Sequence, residues 1–443
     1  MNPERATTMS SRRVSLLMGL LLSATLCHVA AAPAVWDVRQ FGAKGDGQTF
    51  DTAAIQKALD ECGLAGGGTV KFPPGIYLSR PIVVRAKTTV LLEAGATLLA
   101  STNQSDFMKT PGDWLKAKRG DFVPFISGDD LTDVTFTGQG TIDGSGAVWW
   151  GEAEKARQKV PGYVLPRPRL IIFNRCKNLR LAGIKLANSP SSHLLFDDCE
   201  GVVIENVTIN SPAGAANTDG INPSNSRNVT ITHCTIDTGD DNIAIKSDKK
   251  VEGHEFGCED ITITDCDFRH GHGMAIGSTT VGGIRHVVVK NCRFENTDNG
   301  LRIKSGRDRG GVVEDISYSD ITMKNVHPAI SIVGYYQYST NDKYPKNDPA
   351  RPVTETTPIF RNIHISNVTA TCTQDAGSIV GLPESKVTNV VLENVRITAE
   401  TGMTIINANG VRFKNVEVSV KTGPPFTTEN AQVEGMERAN EKQ

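Results

Sequence analysis

From residue 178 onward the chain repeats one pattern. NLRLAGIKL at 178, GVVIENVTI at 201, NVTITHCTI at 228, DITITDCDF at 260, HVVVKNCRF at 286, DISYSDITM at 315, NIHISNVTA at 362, NVVLENVRI at 389 and GVRFKNVEV at 410 share it. Each places two apolar residues two apart, then a polar position that is often Asn or Asp, then a second apolar pair. Successive members lie 21 to 32 residues apart, widening to 47 only between Asp315 and Asn362. A recurring interval of this size is the mark of a solenoid. Val, Ile and Thr dominate and the apolar period is two, so each unit is a strand rather than a helix. One such unit cannot bury its own apolar face and must stack on its neighbours. The pattern therefore predicts an all-β, single-domain, right-handed parallel β-helix.

The recurring Asn or Asp between the apolar pairs fits a corner, because these short side chains tolerate the left-handed backbone region. Cys234, Cys266 and Cys292 each follow that corner, which predicts a buried stack of small apolar side chains rather than a disulfide. TAAIQKALDEC at 52–62 has helical spacing and predicts a short helix capping the N-terminal end of the solenoid. Three polar stretches, 101–121, 143–169 with Trp149 and Trp150, and 335–358, read as loops that wall a binding cleft. Residues 424–443 form a polar C-terminal tail, expected to be poorly ordered.

At the other end, Arg12 and Arg13 precede an apolar run from Val14 to Leu26, followed by Ala30-Ala31-Ala32 and Pro33. This is the layout of a signal peptide over 1–32, and the run is short for a membrane span of ~20 residues. The catalytic domain then covers 33–423, and the mature chain is expected to be secreted or periplasmic. A formal net charge of -2 on 443 residues gives no field that would draw nucleic acid or a membrane surface. No cysteine pairing of the CxxC kind and no Cys/His metal spacing occurs. No cofactor is expected, and the working form is expected to be a monomer.

The chemistry lies in the other half of the repeat. NTDGINPS at 217–224, GDDNIAIKS at 239–247, GHGMAIGS at 271–278 and DNGLRIKS at 298–305 align when Ile221, Ile243, Met274 and Leu301 are set in register. Asp219, Asp241, His272 and Asn299 then share one column. Arg302 stands above Ala244 and Ala275, and Lys304 above Lys246 and Gly277. Coils of a parallel solenoid are ~4.8 Å apart, which makes Asp219 and Asp241 neighbours across coils with Asp240 one residue away. Cleaving a glycosidic bond needs a carboxylic acid for the leaving oxygen and a carboxylate to activate water. Crowding of like charges is expected to raise one of these carboxyl pKa values, while Arg302 and Lys304 would grip an acidic sugar. Taken singly, Asp219 and Asp240 read as ordinary turn residues. A calcium site from the three aspartates fits by ligand type, but His272, Arg302 and Lys304 are poor company for it.

NTDG, GDDNIAIKS, GHG and RIK, in that order, resemble the four signatures of glycoside hydrolase family 28, the polygalacturonases. FGAKGDGQTFDTAAIQKALDE, GGGTVKFPPGIYL and GTIDGSGAVWWG resemble other stretches of that family, so the likeness covers nearly the whole mature chain. The resemblance implies a right-handed parallel β-helix and metal-free hydrolysis of α-1,4-galacturonosyl bonds with inversion. By motif position it implies Asp240 as general acid, with Asp219 and Asp241 holding the attacking water and His272 orienting the acid. It further implies Arg302 and Lys304 on the substrate carboxylate, Asn217 as a near neighbour, and Tyr336 rather than Tyr335 as a substrate contact. The partner would be an acidic polysaccharide, homogalacturonan. Close rivals are a hydrolase of branched pectin such as rhamnogalacturonan, a calcium-dependent pectate lyase, and a non-catalytic glycan-binding β-helix.

Overall fold

The computed structural model describes residues 34–160, 163–336, 345 and 347–436; the segment 1–32, expected to be a signal peptide, lies outside them. Its strands pair in parallel into a continuous 33-stranded network. Three ladders run along the coil axis. One stacks Lys177–Ala182, Glu200–Glu205, Arg227–Thr232, Cys258–Thr264 and Ile284–Lys290. A second, of shorter strands, stacks Lys185–Ala187, Thr208–Asn210, Thr235–Asp237, Asp267–Phe268 and Arg293–Glu295. The third stacks Ile171–Asn174, Leu194–Asp197, Ile221–Ser224, Ile243–Ser247, Met274–Thr280, Leu301–Lys304 and Ile330–Val333, and it carries the site. The chain is thus a parallel β-helix.

Stacking identical positions builds the core. Ile204, Ile231, Ile263, Val289, Tyr318, Ile365 and Leu392 lie in register on successive coils, and each is 1% exposed or less. Full burial of such side chains is worth about 1.5–3 kcal/mol each, so the stack repeats one stabilising contact along the molecule.

The corner behaves as the sequence pattern requires. Asn206, His233, Asp265, Asn291, Asp320, Asn367, Asn394 and Asn415 all have φ between 52° and 56°. Their amides also bond from coil to coil: Asn367 Nδ2 to Asp320 Oδ1 at 2.9 Å, Asn394 to Asn367 at 3.2 Å, Asn415 to Asn394 at 2.9 Å. A second left-handed corner, which sequence reading left unassigned, falls on Asn178, Asn228, Asp260, Asp315, Asn362 and Asn389. These residues open the repeat units themselves. Cys234, Cys266 and Cys292 are buried and free, and no described cysteine forms a disulfide.

The predicted capping helix is α1, Thr52–Leu64, which buries Ile55, Ala58, Leu59 and Cys62. Two expectations fail. The stretch 143–169 is not simply a loop, because Ala147–Lys159 forms a second helix, α2. Trp149 on it is fully buried, edge-on to Phe107, Trp114 and Phe122. Its partners come from stretches distant in sequence, so no local signal announced the packing. The expected tail fails over its described part, residues 424–436; residues 437–443 lie outside the described residues. Phe426–Glu434 is a strand pairing in parallel with Thr401–Val420, which gives the last coil a neighbour.

Candidate active site

Ile221, Ile243, Met274 and Leu301 are in register as the sequence alignment requires, and Arg302 pairs with Ala275 above Ala244. Lys304 lies opposite Gly277; beyond Ile245 the register slips, which frees Lys246 from strict alignment. Asp219, Asp241, His272 and Asn299 each precede their ladder residue by two, at the bend leading into the strand. The two glycines around His272 follow from crowding there. Gly271 and Gly273 have φ of 124° and 74°, and a Cβ would lie 2.5 Å from the Asp240 carbonyl oxygen and 2.0 Å from that of Asn299. Only Gly allows the bend that presents the imidazole.

Each carboxylate has its own cation. Asp240 Oδ1 faces His272 Nδ1 at 3.2 Å and accepts the Asp241 backbone N–H at 2.8 Å. Its Oδ2 accepts the backbone N–H and Nδ2 of Asn217, at 3.2 and 3.3 Å. The other imidazole nitrogen, Nε2, lies 3.2 Å from Asp298 Oδ2. With a carboxylate at both nitrogens, the ring holds both protons and donates twice. Asp241 receives Lys304 Nζ on both oxygens at 2.9 and 2.8 Å, with both side chains 5% exposed. Asp219 Oδ2 accepts from Lys246 Nζ at 3.0 Å and from Asn222 Nδ2 at 2.7 Å.

These pairings reverse one expectation. Burial would push the Asp240 carboxyl up, but the His272 charge, its hydrogen bond and Lys304 outweigh burial and hold it well below the usual carboxylate range. Burial would likewise push His272 down; Asp240 and Asp298 lift it instead to about 10. Crowding alone raises a carboxyl pKa, whereas here a cation is interleaved with each acid, so the spare proton rests on the imidazole. Burial also depresses the Lys304 ammonium despite Asp241, while Lys246 is raised because the nearby carboxylates, Asp219 first, outweigh its burial.

The Tyr336 ring lies 5.4 Å from the Arg302 guanidinium carbon and 5.2 Å from Lys304 Nζ, within cation–π range. Its backbone N–H donates to the Ser305 carbonyl at 2.9 Å. Tyr335 turns away, buried, with its hydroxyl 3.1 Å from Asp348. All eight residues singled out in the sequence are thereby brought to one region. Four partners were missed: Asp298, Lys246, Asn222 and Arg167, whose Nη2 donates to Asn217 Oδ1 at 2.9 Å. Lys246 stood in the aligned motif and Asp298 beside Asn299, but Arg167 lies outside every repeat signal. One ligand atom each from Asp240, Asp241 and His272 lies within 4.8 Å of the others, a spacing a metal could use. Lys304 already sits on both Asp241 oxygens and supplies the positive charge such an ion would bring.

A parallel β-helix that gathers carboxylates, an imidazole and basic side chains on one ladder is the build of a glycan-cleaving hydrolase for acidic polymers. Residues 78–423 match Glycosyl hydrolases family 28, and the chain belongs to that family. Residues 35–120 also match Rhamnogalacturonase A/epimerase, pectate lyase-like. An endo-polygalacturonase of Pectobacterium carotovorum subsp. carotovorum is 35% identical over 82% of this chain and 88% of that one. A probable polygalacturonase of Vitis vinifera is 32% identical over 87% and 78%. Among solved structures, the polygalacturonase from Erwinia carotovora ssp. carotovora is 30% identical, covers 96% of this chain and all of that one, and superposes with a TM-score of 0.69. The protein is a glycoside hydrolase of the polygalacturonase kind. No helix among the described residues is long and apolar enough to cross a membrane.

Proposed function

We propose that the protein hydrolyses α-1,4-galacturonosidic bonds of polygalacturonic acid with inversion, as a monomer exported by its N-terminal segment. The observation that carries this reading is the cation-interleaved acid column, in which Asp240 shares one proton with His272, Asp241 is held by Lys304 and Asp219 by Lys246. In the free protein that proton rests on His272. When a sugar places its glycosidic oxygen against Asp240, the proton passes from His272 Nδ1 through Asp240 to that oxygen as the C1–O bond breaks. Asp219 and Asp241, held in place by Lys246 and Lys304, bind a water that forms the new bond to C1 and take up its proton. Arg302, Lys304 and Tyr336 receive the carboxylated ring, and Asn217 keeps Asp240 aligned.

Proton NMR of fresh products from polygalacturonic acid tests this reading, run with and without chelator. Saturated products that appear first as the β-anomer, unchanged by chelator, support it. Their chain lengths separate endo from exo cleavage. Unsaturated, ultraviolet-absorbing ends that need calcium, or first products in the α-anomer, would overturn it, as would faster cleavage of rhamnogalacturonan.

A further inference from the structure

The site's ladder continues past the acids towards the N-terminus. Backbone N–H groups of Phe125, Leu170, His193 and Gly220 donate to the carbonyls of Arg169, Ser192, Asp219 and Asp241 in turn. Those four acceptor residues therefore stand in one column, one per coil. Arg169 is two coils from Asp219, about 10 Å along the axis, on the side of the acids away from Arg302 and Lys304.

Arg169 does not stand alone. It lines a cleft with Arg119, Arg167, Leu165, Pro166 and Ser191. The Arg167 side chain is buried, 5% exposed, and fixed in place. Its Nε donates to the Leu165 carbonyl at 3.2 Å, and Nη2 donates to the Ala216 carbonyl at 3.1 Å and to Asn217 Oδ1. Its Nη1 is buried and has no hydrogen-bond partner. Among the described residues no acidic side chain pairs with Arg119, Arg167 or Arg169. Burial lowers Arg167 to about 10, opposed by the charges of Asp240 and Asp219; burial and then Arg119 lower Arg169. At about 10, Arg167 remains cationic near neutrality. Three guanidinium groups within electrostatic reach of one another, one with an orphaned donor, are costly to assemble unless an anion joins them.

We infer that this cleft is a second carboxylate subsite, which takes the free carboxylate of a uronic acid unit about two coils from the scissile bond and selects against its methyl ester. The inference rests on the proposed substrate. A chain lying along the ladder would then be held by cations on both sides of the acids, with the bond to be cut suspended between them. A guanidinium pairs with a planar carboxylate through two parallel hydrogen bonds, and an ester removes the charge that strengthens them.

Arg169→Gln and Arg119→Gln in the full chain test it, with steady-state kinetics on polygalacturonic acid and on methyl-esterified pectin. Each variant should raise KM for polygalacturonic acid about tenfold, change kcat less, and narrow the preference for the free acid. The same pair of substitutions in an Asp240→Asn background should weaken calorimetric binding of trigalacturonate by a similar factor, without any turnover. Unchanged KM, binding and ester preference in both variants would refute the subsite. A loss of kcat on every substrate with KM and preference intact would mark the arginines as merely structural. If the wild type makes no saturated product from polygalacturonic acid, the substrate reading fails instead, and the binding comparison still decides whether the cleft takes carboxylates.

Discussion

At Asp240 the question is where one proton resides. Its carboxylate and the His272 imidazole form a partly buried pair, and the charges around them keep the acid ionised and the ring protonated in the free protein. Asp240→Asn can still accept from the Asp241 N–H but cannot deliver a proton. It should fold normally and lose kcat by roughly a hundred- to ten-thousand-fold, read by reducing-end release. His272 makes a pH-dependent contribution to stability. Its folded pKa of about 10 lies above the ordinary ~6.5, so the folded state holds the proton more tightly. That contribution is complete below about pH 6.5 and drains away as pH rises towards about 10. Urea unfolding of wild type and His272→Gln should therefore show a stability gap that closes between these limits; a gap that widens with pH would contradict the pairing.

Among the elements, the corners matter as much as the strands. Asn394 sits at φ 54° and passes its amide bond to Asn367 while accepting from Asn415. A β-branched side chain there would meet the left-handed penalty of about 1–2 kcal/mol. Asn394→Val should lower the unfolding free energy by about that amount or more, and Asn394→Gly by less, as measured in urea. The Asn-rich position was legible in the sequence because it interrupts the apolar period at the same place in each unit. The second corner was not, because it coincides with the start of the unit, where no apolar period exists on one side to be broken. The helix over Ala147–Lys159 escaped for a related reason: its apolar face, Trp149 above all, is completed by Phe107, Trp114 and Phe122.

For the molecule as a whole, each coil touches only the coils above and below, so the ends are where stability is most easily lost. The last strand, Phe426–Glu434, pairs with residues from Met403 to Arg412 and sets Phe426 5.1 Å from Phe413. Truncation after Gly423 should lower the urea midpoint and promote association through the uncovered edge, detectable by light scattering. The sequence by itself determined the solenoid, the corner and the column of Asp219, Asp241 and His272, because a parallel stack converts a repeat interval directly into neighbourhood across coils. Which charge answers which could be decided only by the tertiary structure. The pairing of His272 with Asp298, of Lys246 with Asp219 and of Arg167 with Asn217 depends on how far each side chain reaches, which the periodicity of the backbone does not fix. The protonation of the acid depends on the sum of those reaches, since a carboxylate's pKa is set by every charge around it and not by its place in a motif.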